Sequence, residues 1–220
     1  PETAAVDGAL GRLYAPHGSR LVVWASTGGA RPAPLPHAPA SLSNTVSAIR
    51  PSPDYARDQT LLAVIDSQLC RSTDGGESWV RLRGGLPEFG EYVLSTVAVF
   101  SPDYAQDGSL FAGTAEQSLY RSDDRGETWA RIVAPGTPLA GTPAPSINAL
   151  ILGPNYPTEP HILAMLSETL LVSRDGGASW EEWAAGLDLG SGATCVAAPL
   201  GLAPGAPLLV GLADGRVLKL

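Results

Sequence analysis

The sequence predicts an all-β fold, a β-propeller of about five four-stranded antiparallel blades, and three observations predict it. An eight-residue motif, Ser-x-Asp-x-Gly-x-Ser/Thr-Trp, occurs at Ser72 to Trp79, at Ser122 to Trp129 and at Ser173 to Trp180, spaced by 50 and 51 residues. A second element precedes each copy in fixed phase: Ser52-Pro53-Asp54-Tyr55-Ala56, Ser101-Pro102-Asp103-Tyr104-Ala105 and the looser Gly153-Pro154-Asn155-Tyr156-Pro157. Short runs of strand character fill the intervals, and no stretch carries a helical period. About fifty residues accommodate four strands of ~5–6 residues with their turns, the size of one propeller blade.

Each element of the repeat has a physical assignment. With strands named A to D from the axis outward, Val46 to Ile49, Leu61 to Ile65 and Leu69 to Arg71 supply A, B and C of one unit; Thr96 to Phe100, Leu110 to Gly113 and Leu119 to Arg121 supply them in the next. The Pro-Asp-Tyr element then joins A to B, and the eight-residue motif closes the hairpin from C to D. Its Ser and Asp side chains can accept hydrogen bonds from N–H groups of their own turn, and its Gly supplies the positive φ that the turn requires. The Trp opens strand D and buries about 150–250 Å² against the sheet. Asp74, Asp124 and Asp175, with Ser72, Gly76, Ser122, Gly126, Ser173 and Gly177, are therefore assigned a structural role, because equivalent positions of successive blades lie far apart around the rim.

The ends of the chain fit the same phase. Leu13-Tyr14-Ala15 and Leu21 to Trp24 resemble strands B and C, followed by a decayed motif at Thr27-Gly28-Gly29, and Ala4 to Leu10 is the candidate for the missing strand A. Ala213 to Leu220 matches the stretch from B through C and stops where a fourth motif would begin. The expectation is one domain over 1–220, with units at about 10–40, 44–84, 94–133, 146–186 and 193–220, the first and last partial. Five blades either close a ring, the termini completing each other's sheets, or belong to a longer propeller.

Composition narrows the partners. A net charge of −8 disfavours nucleic acid, whose affinity comes from Lys and Arg displacing counterions. No apolar run approaches the ~20 residues that a membrane span needs, so a soluble chain is expected. The chain opens at Pro1 without a basic, apolar leader. A removed signal would account for that, and an extracytoplasmic or secreted location is the expectation. Cys70 and Cys195 fall on blades that are not neighbours, which predicts two free, mostly buried thiols. No cofactor or metal is expected: His17, His37 and His161 are scattered, and Asp54 with Asp58 and Asp103 with Asp107 read as turn caps rather than calcium ligands.

The motif at residues 72–79, 122–129 and 173–180 resembles the Asp-box, or bacterial neuraminidase repeat, over about residues 10–220. Families that share it include sialidases, xyloglucan-cleaving glucanases, sortilin-type receptors and the photosystem II assembly and stability factor. The resemblance implies a propeller, while the function varies among its members. A sialidase-like site would need three arginines around the axis. Here Arg71, Arg81, Arg83, Arg121, Arg125, Arg131 and Arg174 are expected at the rim, and only Arg50, at the end of a strand A, near the axis. The Phe/Tyr-Arg-Ile-Pro signature is absent. A glucanase-like site would need two facing carboxylates, and the best acids available are Glu88, Glu91 and Asp188 in loops from D to the next A.

Those loops, at 35–44, 84–92, 134–146 and 185–193, are rich in Pro, Gly and Ala and suit the presentation of a shaped surface. With Phe89 and Tyr92 adding aromatic area, they are the candidate binding loops. A non-catalytic binding or assembly propeller with a protein partner is the first expectation. A glycan-active enzyme, a glycoside hydrolase of sialidase or glucanase type, or a carbohydrate-binding propeller, is the second.

Overall fold

The computed structural model describes residues 5–7, 12–17, 20–25, 30–33, 46–65, 68–86, 95–114, 119–132, 147–166, 168–184, 186–187, 189 and 192–220. They form five antiparallel sheets in chain order. The first contains β1 (Ala5–Asp7), β2 (Arg12–His17), β3 (Arg20–Ala25) and β4 (Ala30–Ala33). The second contains β5 (Val46–Pro51), β6 (Leu61–Ile65), β7 (Gln68–Ser72) and β8 (Val80–Arg81). The third contains β9 (Ser95–Phe100), β10 (Leu110–Thr114), β11 (Leu119–Ser122) and β12 (Ala130–Arg131). The fourth contains β13 (Ala149–Leu152), β14 (Ile162–Met165), β15 (Leu170–Ser173) and β16 (Glu181–Glu182). The last has three strands, β17 (Ala193–Ala197), β18 (Leu209–Leu212) and β19 (Val217–Lys219).

Every sheet is an up-and-down meander, and its first strand packs against the first strand of the next: β1 on β5, β5 on β9, β9 on β13, β13 on β17. This is the fan of a propeller. The second strands of the three central blades are apolar apart from Thr114 and buried at every position, as a strand covered on both faces must be. The core is accordingly a set of layers between blades. Leu62, Val64 and Leu69 of the second blade pack with Phe100, Leu110 and Trp129 of the third, and Phe111 and Leu119 of the third pack with Ile162, Leu171 and Trp180 of the fourth. The outermost strands β8, β12 and β16 are two residues long, too short to template an unwanted pairing.

Three expectations are corrected. The first blade has four strands rather than being partial, because the candidate stretch Ala4 to Leu10 does supply strand A: β1 pairs with β2 through Ala5 opposite Tyr14. The Pro-Asp-Tyr element contains a helical turn in two copies, α1 (Tyr55–Asp58) and α2 (Tyr104–Asp107). A single turn is too short to show a period, and it closes because Gln59 and Gly108 take the left-handed conformation at its end. Lastly, Cys70 is buried as expected but Cys195 is exposed, since β17 belongs to the three-stranded last sheet and is exposed at most of its positions.

Asp58 and Asp107 are the last residues of these turns, and their carboxylates tie together the two ends of the A-to-B loop. Asp58 accepts hydrogen bonds from Ser52 Oγ at 2.7 Å and the Thr60 N–H at 2.8 Å. Asp107 accepts them from Ser101 Oγ at 2.6 Å and the Ser109 N–H at 2.7 Å. Tyr55, Tyr104 and Tyr156 are buried, so the tyrosine anchors each A-to-B loop in its blade.

Candidate functional site

The Asp-box turns repeat one hydrogen-bond pattern three times. Ser72, Ser122 and Ser173 are buried, and the Oγ of each accepts the N–H of Gly76, Gly126 or Gly177 at 2.8 Å. Each serine donates in turn to the box carboxylate, Asp74, Asp124 or Asp175, at 2.7–2.8 Å. The same carboxylates accept the N–H and the hydroxyl of Ser78, Thr128 and Ser179. Gly76, Gly126 and Gly177 have φ of 93°, 93° and 102°, conformations that a Cβ would strain. The indole N–H of Trp79, Trp129 and Trp180 donates to the box glycine's carbonyl at 3.0–3.1 Å. The motif's first serine, its aspartate, its second hydroxyl and its indole N–H are thereby all engaged in holding their own turn.

That engagement sets the charge of the carboxylates. Hydrogen bonds from the Thr128 hydroxyl, the Thr128 N–H and Ser122 hold Asp124 down to about 2, below its ordinary 3.8. For Asp74 and Asp175 slight burial pushes upward, but the bonds from Ser78 and Ser72, and from Ser179 and Ser173, prevail and the net direction is down. Carboxylates held ionised by hydrogen bonds are poor proton donors and suit a structural task. Because the folded values lie below the unfolded ones, the boxes contribute stability that is present above about pH 4 and lost as the pH falls toward 2. Thermal melts at pH 5, 4, 3 and 2 check this: the Asp74→Asn, Asp124→Asn, Asp175→Asn variant is expected to start lower at pH 5 and to fall less steeply below pH 4.

The boxes also join blades. Arg71 donates to the carbonyl of Arg125 and pairs with Glu127 at 2.9 Å, both in the box of the following blade. Gly84, just beyond β8, accepts the Trp129 N–H at 2.6 Å. Leu82 and Ile132, three residues after Trp79 and Trp129, lie where a Cβ on the next box glycine would meet them, at 2.7 Å from Gly126 and 2.9 Å from Gly177. Sequence reasoning missed these residues, although an apolar residue three positions after the Trp recurs as Leu82, Ile132 and Trp183 and could have signalled them. Leu86 and Leu189, in the D-to-A loops, are buried in the layers between blades. The candidate binding residues Glu88, Phe89, Glu91, Tyr92 and Asp188, and the loops at 35–44 and 134–146, lie outside the described residues.

The arginines divide as expected, except that Arg83 lies past β8 rather than on strand D. Arg121 pairs with Asp123, and Arg174 with Glu181, at the rim. Arg50 alone among the described arginines lies on an innermost strand. The inner strands are otherwise apolar at these positions: Val97 is buried in the layer between the third and fourth blades and Val99 packs on it, Ala48 packs on the layer between the second and third, and Ala149 and Ile151 pack on the layer toward the last blade, which leaves Arg50 as the one charged residue of β5, β9 and β13.

Where the innermost strands end, Arg50 borders an open cavity of about 470 Å³ whose other walls include Val99, Phe100, Leu150, Ile151 and Leu152. Through Pro102 it meets a second cavity of about 490 Å³ between two A-to-B loops, lined by Asp103, Asn155, Tyr156 and Glu159. Arg50 Nη1 donates to the Ile49 carbonyl at 3.2 Å. Burial pulls its guanidinium below the ordinary value, although it stays charged.

Comparison with known proteins agrees with this architecture. A family model described as BNR/Asp-box repeat matches residues 120–131. The fold is similar to an ancestral GH74 enzyme (17 % identity, TM-score 0.67), covering 99 % of this chain and 30 % of that one. It is similar to the extracellular domain assigned to the hybrid two component system BT4673 of B. thetaiotaomicron (14 % identity, TM-score 0.66), covering 99 % and 25 %. It is also similar to YCF48 bound to D1 peptide (15 % identity, TM-score 0.62), covering 96 % and 61 %. At these identities the likeness is one of fold, and the chain spans between a quarter and three fifths of the length of these structures. A comparison with curated proteins finds no match at a significant level. Box geometry, blade topology and matched motif together make this chain a β-propeller that carries the BNR/Asp-box repeat.

Proposed function

We propose that this propeller is a non-catalytic binding or assembly module that presents its loops and axial mouth to a protein partner, in an extracytoplasmic or secreted setting. The observation that carries the proposal is the division of labour among the side chains. The repeated carboxylates are committed to their own turns, while the inner strands β5, β9 and β13 carry no carboxylate or histidine and pack Ala48, Val97, Val99, Ala149 and Ile151 on the layers between blades, a composition suited to contact rather than proton transfer. Two structural neighbours support it: one was solved with a peptide bound, and another is an extracellular domain. No described helix is long and apolar enough to cross a membrane.

One observation favours a glycan-active alternative, the likeness to an ancestral GH74 enzyme. That alternative needs its acids in the D-to-A loops, with Glu88 and Glu91 the candidates. Reducing-end release from xyloglucan and turnover of an aryl sialoside separate the two. The binding reading predicts no hydrolysis above buffer, whereas hydrolysis abolished by Glu88→Gln or Glu91→Gln would establish the enzyme instead.

A further inference from the structure

We propose that the axial cavity on the A-to-B loop face receives the free C-terminal carboxylate of an extended partner peptide, with Arg50 as its counter-ion and the groove beside Asp103 and Glu159 holding the residues before it. The proposal deepens the binding-module reading and rests on it.

Arg50 differs from the paired arginines of the rim. Arg57, Arg71, Arg121, Arg174 and Arg216 each meet a carboxylate. Arg50 is half-buried and meets only a backbone carbonyl among the described residues, through one of its five donors and at a long 3.2 Å. The cavity walls beside it are Val99, Phe100, Leu150, Ile151 and Leu152, and the other polar side chain of the lining, Ser52, is buried with its hydroxyl donating to Asp58 at 2.7 Å. A cation held among apolar walls without a counter-ion is unsatisfied in that setting, and a ligand that supplies one recovers a charge-assisted, fork-shaped pair.

The chemistry of the occupant follows from charge count and shape. One guanidinium balances one carboxylate, whereas a phosphate dianion would remain half uncompensated against apolar walls. The walls suit aliphatic side chains on the residues next to that carboxylate. Small-molecule sites enclose most of their ligand, but this cavity is open and runs through Pro102 into the groove between two A-to-B loops. An extended chain fits that continuity. Asp103 and Glu159 make no ion pair among the described residues, so the outer groove is complementary to a basic side chain upstream of the terminus.

The test is a selection from C-terminally randomised peptides with free carboxylates against the intact chain, followed by fluorescence polarisation of fluorescein-labelled winners as free acids and as amides. Expected are winners with an apolar last residue and a Lys or Arg upstream, an affinity loss of tenfold or more on amidation, and the same loss in Arg50→Gln with no further loss on amidation. Arg50→Lys retains part of the affinity, and thermal melts show both variants folded; should Arg50→Gln fail to fold, amidation and Arg50→Lys decide. Enrichment that ignores the terminus, a free-acid preference unchanged in Arg50→Gln, or 4-methylpentanoate alone competing at peptide affinity would overturn the proposal. Peptides that bind regardless of Arg50 defeat only this assignment and leave the binding module standing. Glycoside hydrolysis defeats the module itself.

Discussion

Trp129→Ala is expected to destabilise the protein by about 3–5 kcal/mol, the cost typical of truncating a buried tryptophan. Trp129 is 6 % exposed and lies in the layer formed by Leu62, Val64, Leu69 and Leu82 of the preceding blade and Leu110 of its own. Its indole also satisfies the carbonyl of Gly126 at 3.1 Å. Removal therefore opens a cavity between two blades and releases a bond that shapes the turn. Urea unfolding monitored by circular dichroism measures the loss. Val80→Ala, one residue past the equivalent Trp79 and 61 % exposed, serves as the control and should stay within about 0.5 kcal/mol. A cost for Trp129→Ala below about 1 kcal/mol would mean that the Asp-box tryptophans do not lock neighbouring blades together.

Gly84→Ala is the second large effect. A Cβ at this position would stand 1.8 Å from the carbonyl oxygen of Glu127 and 3.1 Å from the Thr128 Cα, both backbone atoms of the next blade's box. Backbone cannot rotate aside as a side chain can, so the loop and the box must separate and the bond from the Trp129 N–H to the Gly84 carbonyl is strained or lost. Overpacking costs about 1–3 kcal/mol and such a hydrogen bond about 1 kcal/mol, giving about 2–4 kcal/mol in all. Gly186→Ala is the contrast: its φ is +74° but nothing lies within 4 Å of the added Cβ. It should cost only the conformational strain of about 1–2 kcal/mol. Equal costs at the two positions, measured by the same unfolding experiment, would argue against direct docking of one blade on the next box.

The repeat was legible because its signals are local. A serine and an aspartate that bond their own turn, a glycine at positive φ and a tryptophan at the start of strand D leave the same residues in the same order in every blade, and the strands between them followed from β-rich runs of the right length. What joins one blade to the next was not legible in the same way. Gly84, Leu82 and Arg71 act on residues about fifty positions downstream, and nothing near them in the chain shows what they touch. The one-turn helices escaped notice because four residues carry no period, and the exposure of Cys195 because it depends on what packs over β17 rather than on its own strand. For the candidate site, Arg50 was separated from the rim arginines by its place at the end of strand A. The groove between the A-to-B loops was not foreseen, since Pro102, Asn155 and Glu159 come together only when neighbouring blades are placed side by side.

Amide hydrogen exchange at Gly76, Gly126 and Gly177, resolved residue by residue by NMR, addresses the central structural claim most directly. If buried Ser72, Ser122 and Ser173 hold these N–H groups as the geometry shows, all three exchange as slowly as the amides of the central strands β6, β10 and β14. Exchange at the rate of an exposed loop, or at three unrelated rates, would contradict the account of one self-satisfied turn repeated from blade to blade.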